Sequence, residues 1–314
     1  MPLDPQAKAL LDQRAASGEP QLHRMTVAQA RATIEASIDR VTPRETVAGV
    51  EDREAPGPHG PIPVRIYTPE GAGPFPILLY FHGGGWVVCS IETHDAWCRH
   101  ICNRIGCLVV SVDYRLAPEY LFPAAVDDCF AAAQWVSLHG ASFNGDGSRL
   151  AVAGDSAGGT LSAVVCLLAR DQGGPKIAYQ VLITPATDYY NLDLPSYRDN
   201  AEGFGMDTAD VIWLMDLYLP PTVDRDDPRA FPLRALDLQG LPPAMVITAE
   251  YDSLRDDGDL YAARLQNAGV PVIWAPYDGM IHNFPLDYEV LTQGEKAVEA
   301  IASALRSAFG LHNR

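Results

Sequence analysis

The chain is 314 residues long, carries a formal net charge of −17 and is 47% hydrophobic. Such an acidic protein is a poor partner for nucleic acid or an anionic membrane, because both are polyanions. No apolar run is long enough for a transmembrane helix, and the N-terminus has neither the basic start nor the apolar core of a secretory signal. We therefore expect a cytoplasmic protein, with one α/β domain and an insertion.

The first 44 residues are predicted to form helices. Asp4 is a suitable capping residue and Pro5 fits a first helical turn, with Leu10 and Leu11 following at helical spacing. A second helix is predicted to begin at Thr26. After these helices the apolar pattern changes to one that is typical of strands.

From residue 45 onward, predicted strands alternate with predicted helices. This alternation predicts an α/β fold with a mostly parallel central sheet flanked by helices. The predicted strands lie at 47–51, 64–67, 77–81, 107–114, 150–153, 179–184, 244–248 and 270–275, with a turn-rich segment at 55–61. The predicted helices lie at 93–105, 124–138, 156–169, 255–268 and 295–309.

The segment 188–229 interrupts this alternation. It contains no strand-like run, but residues 208–219 have helical spacing. The segment begins just past the C-terminal end of a strand, where open α/β sheets bind ligands, so we interpret it as a candidate lid. The alternative is a surface excursion that has no role in substrate access.

A G-x-S-x-G motif at 154–158 places Ser156 between a predicted strand and a predicted helix. A serine at such a sharp turn is raised clear of the sheet and lies at a helix N-terminus, which favours developing negative charge. We therefore predict Ser156 as a catalytic nucleophile. The alternative is that Ser156 only caps the helix.

A glycine run follows the buried strand at 77–81, in the sequence HGGGW at 82–86. Acyl transfer needs backbone N–H groups directed at the developing oxyanion, and glycines let the backbone approach closely. We predict that two of Gly83, Gly84 and Gly85 supply such donors together with the N–H of Ala157. The alternative is a loop that is rich in glycine only for its turn geometry.

The serine needs a base, and in this fold the chain order is serine, acid, histidine. Of the eight histidines, only His282 and His312 follow Ser156. His312 is two residues from the C-terminus, where we expect fraying, so His282 is the predicted base. Asp252, just past a strand end, is the predicted acid, and Glu250 is the next candidate. Asp256 and Asp257 suit the first turn of the following helix instead.

The six cysteines are predicted to be buried free thiols. Cys98 and Cys102 are one helical turn apart, but no second pair completes a zinc site, so no metal or other cofactor is expected. The sequence DYRLAPE at 113–119 has no derived role. We expect Arg115 and Glu119 to pair or to anchor a loop rather than to contact substrate.

Taken together, HGGGW at 82–86, DYRLAPE at 113–119, GDSAGG at 154–159, YDSLRD at 251–256 and the His282 loop resemble the hormone-sensitive-lipase family of esterases, bacterial family IV of the α/β-hydrolases. The resemblance implies the same triad and oxyanion donors. It also implies a helical cap, built here from 1–44 and 188–229, on a core formed by 45–187 and 230–314. Where the family commonly has proline after the acid, this chain has Ser253, which we expect only to loosen the loop.

These features predict a serine carboxylesterase that hydrolyses small, short- to medium-chain acyl esters through an acyl-enzyme intermediate. An amidase or deacetylase would use the same triad, and no sequence feature separates the two activities. A non-catalytic receptor on a hydrolase scaffold is disfavoured by the intact His282. The expected partner is a small-molecule ester, without nucleic acid or membrane, and a homodimer is left open.

Overall fold

A computed structural model describes residues 2–38 and 44–311, and within these ranges eight strands form a single sheet. The strands are β1 (Gly49–Gly57), β2 (Gly60–Thr68), β3 (Phe75–Phe81), β4 (Leu108–Val112), β5 (Gly145–Asp155), β6 (Ile177–Ile183), β7 (Ala244–Tyr251) and β8 (Val272–Ile281). Their order across the sheet is β1-β2-β4-β3-β5-β6-β7-β8. The pairs β1–β2 and β2–β4 are antiparallel and the other five pairs are parallel, so the predicted, mostly parallel sheet is confirmed.

Helices cover both faces of this sheet. The α-helices of the described residues are α1 (Pro5–Ala16), α2 (Val27–Ser37), α3 (Asp95–Ile105), α4 (Ala124–His139), α5 (Ala157–Asp171), α6 (Pro195–Asp199), α7 (Thr208–Tyr218), α8 (Arg255–Asn267) and α9 (Thr292–Ala308). Side chains alternate across β3, so that Ile77 and Leu79 pack on the face of α4, α5 and α8, whereas Leu78 packs on the face of α3 and α9. Burial on both faces explains the continuous apolar run of this strand.

The segment 55–61 is not the extended turn region that we predicted. It belongs to a hairpin in which Gly57 pairs with Gly60, so only two residues form the turn. Proline is tolerated there because β1 is an edge strand, and because β2 pairs with β4 only from Val64 to Tyr67, beyond Pro61 and Pro63.

The N-terminal segment and the 188–229 insertion contact each other. His23 donates its backbone N–H to Asp210 Oδ1 at 2.9 Å, and its Nδ1 lies 2.8 Å from the same oxygen. Asp210 belongs to α7, so the two segments named as the cap are directly joined. The proposed cap boundaries remain a prediction, and part of the first segment lies outside the described residues, as does His312.

The DYRLAPE segment forms ion pairs, as we predicted. Arg115 makes a bidentate pair with Asp128, with both distances at 2.8 Å. Glu119 pairs with Arg31 of α2, whose guanidinium also donates to the carbonyl of Val87 at 2.9 Å. Arg31 thus anchors the N-terminal segment next to the glycine loop.

Two further predictions concern the cysteines and membrane-spanning helices. All six cysteines are free, and all except the partly buried Cys89 are buried, which largely confirms the prediction. Over residues 2–38 and 44–311, no helix combines the length and apolarity needed to cross a bilayer.

Candidate active site

Ser156 lies between the last residue of β5 and the first residue of α5, with φ 52° and ψ −119°. This backbone conformation is costly for a residue with a side chain, and close neighbours must maintain it. Glycine is required beside it, because a Cβ on Gly158 would lie 1.9 Å from the carbonyl oxygen of Phe81. The Ser156 side chain makes no capping hydrogen bond, which speaks against a purely capping role.

The glycine loop after β3 lies against the Ser156 turn. The N–H of Gly83 donates to Asp155 Oδ1 at 3.0 Å, so this group is already engaged. Gly84 and Gly85 have positive φ values of 104° and 58°, and no hydrogen bond joins their N–H groups to any described residue. Ala157 is the first residue of α5, where a helix leaves its N–H groups unpaired. The available donors are therefore those of Gly84, Gly85 and Ala157.

His282 follows β8 and lies against the loop after β7. Its Nδ1 is 2.7 Å from Asp252 Oδ2, and Asp252 Oδ1 accepts the N–H of Leu254 at 2.9 Å. The Nε2 atom of His282 is buried and has no hydrogen-bond partner among the described residues. Glu250, the alternative acid, instead accepts the N–H of Gly279 at 2.7 Å.

Asp155 is a buried carboxylate that was not among the predicted site residues. It occupies the first variable position of the G-x-S-x-G motif. Its oxygens accept hydrogen bonds from Gly83 N, from Tyr80 Oη at 2.6 Å and from Asn283 Nδ2 at 2.7 Å. Burial raises the pKa of Asp155, but the charge of His94 and the hydrogen bonds from His94 and Tyr80 outweigh burial, so the pKa is lowered. One charged group thus links the glycine loop, the serine turn and the histidine loop.

Two cavities lie at this edge of the sheet, and Met206 lines both of them. A small apolar cavity of about 20 Å³ is lined by Ser156 together with Gly85, Trp86, Ala157, Ala186, Met206, Val211, Leu214, Met215 and Leu254. A larger cleft of about 370 Å³ contains His282, with His94, Phe204 and Leu286 among its lining residues. Residues 206–215 of the insertion therefore form part of the wall beside Ser156, in the position expected of a lid.

Ser253 does not loosen the loop after Asp252, and our prediction was wrong. Its side chain is wholly buried, and its hydroxyl donates to the carbonyl of Asn200 at 3.0 Å. The missing proline is therefore replaced by a hydrogen bond to the insertion.

Asp257 lies in the first turn of α8, as predicted, but it is completely buried. One of its oxygens accepts the N–H of Asp188 at 3.3 Å, and the other has no partner among the described residues. Burial raises the pKa of Asp257 well above its ordinary value, and the negative charges of Asp188 and Asp252 act in the same direction. Folding therefore favours the neutral form of this carboxyl.

The replacement Asp257→Asn is expected to raise the melting temperature at neutral pH. The unfolded chain loses the Asp257 proton above about pH 4, whereas the folded chain keeps it to higher pH, so wild-type stability falls as pH rises from there towards the folded-state pKa. Melting curves from about pH 4 to pH 8 should show the variant gaining on the wild type as pH increases. The exposed Asp171→Asn is the control, and a pH-independent difference would contradict this interpretation.

Known proteins resemble this chain over most of its length. The sequence matches the family model of the alpha/beta hydrolase fold over residues 78–286, more than half of the chain. The carboxylic ester hydrolase LipN of Mycobacterium tuberculosis is 40% identical over 287 residues, covering 90% of this chain and 76% of that protein. Carboxylesterase NlhH of the same species is 43% identical over 253 residues, covering 79% of each chain.

Solved structures agree with this relationship. The hyperthermophilic esterase of the archaeon Pyrobaculum calidifontis superposes with a TM-score of 0.93 at 43% identity, over 98% of this chain and 99% of that one. An ester hydrolase from the metagenome of Lake Arreo gives the same TM-score and identity. The sheet and the serine turn of this chain, together with these relatives, show that the chain belongs to the α/β-hydrolase family, in the branch related to hormone-sensitive lipase.

Proposed function

We propose that this chain is a serine carboxylesterase that hydrolyses small acyl esters through an acyl-enzyme intermediate. As a member of its family with relatives named as esterases, it is a carboxylic ester hydrolase. The observation that carries the finer proposal is the His282–Asp252 pair: the His282 Nε2, which has no hydrogen-bond partner among the described residues, lies at the same sheet edge as the buried Ser156.

The proposed mechanism assigns one task to each group. Asp252 accepts a hydrogen bond from the Nδ1–H of His282 and stays ionised, so Nε2 is the unprotonated, basic nitrogen that removes the proton of Ser156. The serine oxygen attacks the ester carbonyl, and the N–H groups of Gly84, Gly85 and Ala157 stabilise the oxyanion. His282 then protonates the leaving alcohol, and a water molecule activated by His282 hydrolyses the acyl-enzyme.

A fluorophosphonate probe together with a panel of p-nitrophenyl esters and matched anilides tests this function. We expect covalent labelling at Ser156, ester turnover that exceeds anilide turnover, and full activity in EDTA. Labelling at another residue, or loss of activity in EDTA that zinc restores, would contradict the serine mechanism. Faster turnover of the anilides would make the protein an amidase.

The two cavities predict which part of the ester lies where. His282 must protonate the leaving alcohol, so the alcohol occupies the cleft that contains His282. The acyl group then enters the apolar cavity beside Ser156, whose wall includes Leu214 of α7 and whose volume is only about 20 Å³. The expected substrates therefore combine a short acyl chain with a larger alcohol.

An acyl-length series with the variant Leu214→Ala measures the size of this cavity. Each methylene that is buried adds up to about 0.8 kcal/mol, or about fourfold in kcat/KM, until the cavity is full. Shortening Leu214 should move the optimum towards longer acyl chains, whereas the exposed Leu236→Ala should leave it unchanged. A wild-type maximum at palmitate, or activation by emulsified triglyceride, would contradict the proposed esterase function.

A further inference from the structure

The loop that carries Asp252 is short, and it contacts the 188–229 insertion as well as the sheet. It comprises residues 252–254, between the end of β7 at Tyr251 and the start of α8 at Arg255, and we call it the acid loop. The pairing of β7 with β8 is already irregular between Ala249 and Tyr251, so the regular ladder ends before the acid. Contacts from elsewhere must therefore hold the loop.

Asn200 supplies two of these contacts from the insertion. Its Nδ2 donates to the carbonyl of Glu250 at 3.0 Å and to the carbonyl of Asp252 at 3.0 Å. The residue is 4% exposed, so water has little access to replace either hydrogen bond. One side-chain amide thus binds the backbone both at Glu250, near the end of β7, and at Asp252.

Ser253 of the acid loop in turn donates a hydrogen bond to Asn200. Its hydroxyl donates to the Asn200 carbonyl at 3.0 Å, and its own carbonyl accepts the hydroxyl of Ser196 at 2.8 Å. Ser196 and Ser253 are both wholly buried. Three of these hydrogen bonds join the acid loop to the segment that contains α6, and a fourth joins that segment to Glu250 near the end of β7. Both partners lose buried hydrogen bonds if they separate.

We propose that Asn200 is a positioning residue for catalysis, which holds Asp252 in line with His282 Nδ1. This inference rests on the proposed function, because it assumes that Asp252 is the acid. The segment that holds the acid continues directly into Met206 and Leu214, which line the cavity beside Ser156. An acyl group that forces this segment outward consequently withdraws support from Asp252, so oversized substrates lose kcat as well as affinity.

The variant Asn200→Ala, compared with Asn191→Ala, tests the inference. Asn191 is an asparagine of the same insertion whose amide oxygen, among the described residues, accepts only a local N–H, from Asp193 at 3.0 Å. A displacement of about 1 Å in a catalytic group costs roughly 100-fold, so Asn200→Ala should lower kcat by about 10- to 100-fold with little change in KM. Asn191→Ala should retain the wild-type kcat.

A double-mutant cycle with Asp252→Asn separates positioning from a general structural role. If Asn200 acts through Asp252, Asn200→Ala should lower kcat little further once Asp252 is replaced. Equal losses in both backgrounds, or a wild-type kcat for Asn200→Ala beside an impaired Asp252→Asn, would overturn the inference and leave the proposed function intact. A wild-type kcat for Asp252→Asn would instead overturn the proposed acid.

A second variant keeps the test decisive if Asn200→Ala does not fold. Ser253→Ala removes the hydroxyl that donates to Asn200 and that also lies 3.1 Å from Thr208 Oγ1 and 3.3 Å from the carbonyl oxygen of Met206. It should lower kcat by a smaller factor that also disappears in the Asp252→Asn background. Circular dichroism and melting curves establish that each variant is folded. An additive loss from Ser253→Ala would contradict the inference in the same way.

Discussion

Replacing either Ser156 or His282 by alanine is expected to lower kcat by roughly 10⁴- to 10⁶-fold, and the double replacement should lower it little further. The two losses are not additive because the base serves only to activate the nucleophile, so the second replacement removes nothing that still operates. KM should change much less than kcat, since neither side chain dominates the walls of the two cavities.

Single-turnover and steady-state kinetics on an activated ester measure this loss. The exposed Ser303→Ala and His139→Ala, on α9 and α4, are matched controls that should retain full activity. Asp252→Asn should cost about 10⁴-fold, because the histidine then adopts the wrong tautomer. Glu250→Gln should cost far less, and an inactive Glu250→Gln beside an active Asp252→Asn would reverse the assignment of the acid.

The second large effect is expected from Gly84→Ala. This glycine has φ 104°, and a Cβ there would lie 2.2 Å from the carbonyl oxygen of Val88, so the backbone must move. Movement takes the neighbouring N–H groups away from the oxyanion, and losing one such donor costs about 10²- to 10³-fold in kcat. We expect a loss of this size with little change in KM, measured on p-nitrophenyl acetate.

The control for this prediction is Gly269→Ala. Gly269 also has a positive φ, of 78°, but a Cβ there would meet nothing within 4 Å. The control therefore carries the backbone strain without the collision, and its kcat should stay near the wild-type value. Equal kcat values for Gly84→Ala and the wild type would show that the oxyanion is stabilised elsewhere.

The sequence by itself determined the features that depend on residues close to one another in the chain or on their order along it. Apolar runs with helices between them indicated the parallel sheet, because a strand buried on both faces has no polar alternation. The small residues around Ser156 indicated its turn, since only glycine fits at Gly154 and Gly158, where the backbone of the turn and of β3 approaches closely. The prediction of His282 as the base followed from chain order, because only one other histidine comes after the serine.

Tertiary structure decided which groups those residues meet. Asp252 and Glu250 are two positions apart, and only the irregular end of β7 sends one to His282 and the other to Gly279. Nothing local showed that Asp155 occupies the N–H of Gly83, or that the Ser253 hydroxyl binds the insertion. A turn is encoded by the residues within it, whereas a hydrogen-bond partner depends on which distant loops converge at the same edge of the sheet.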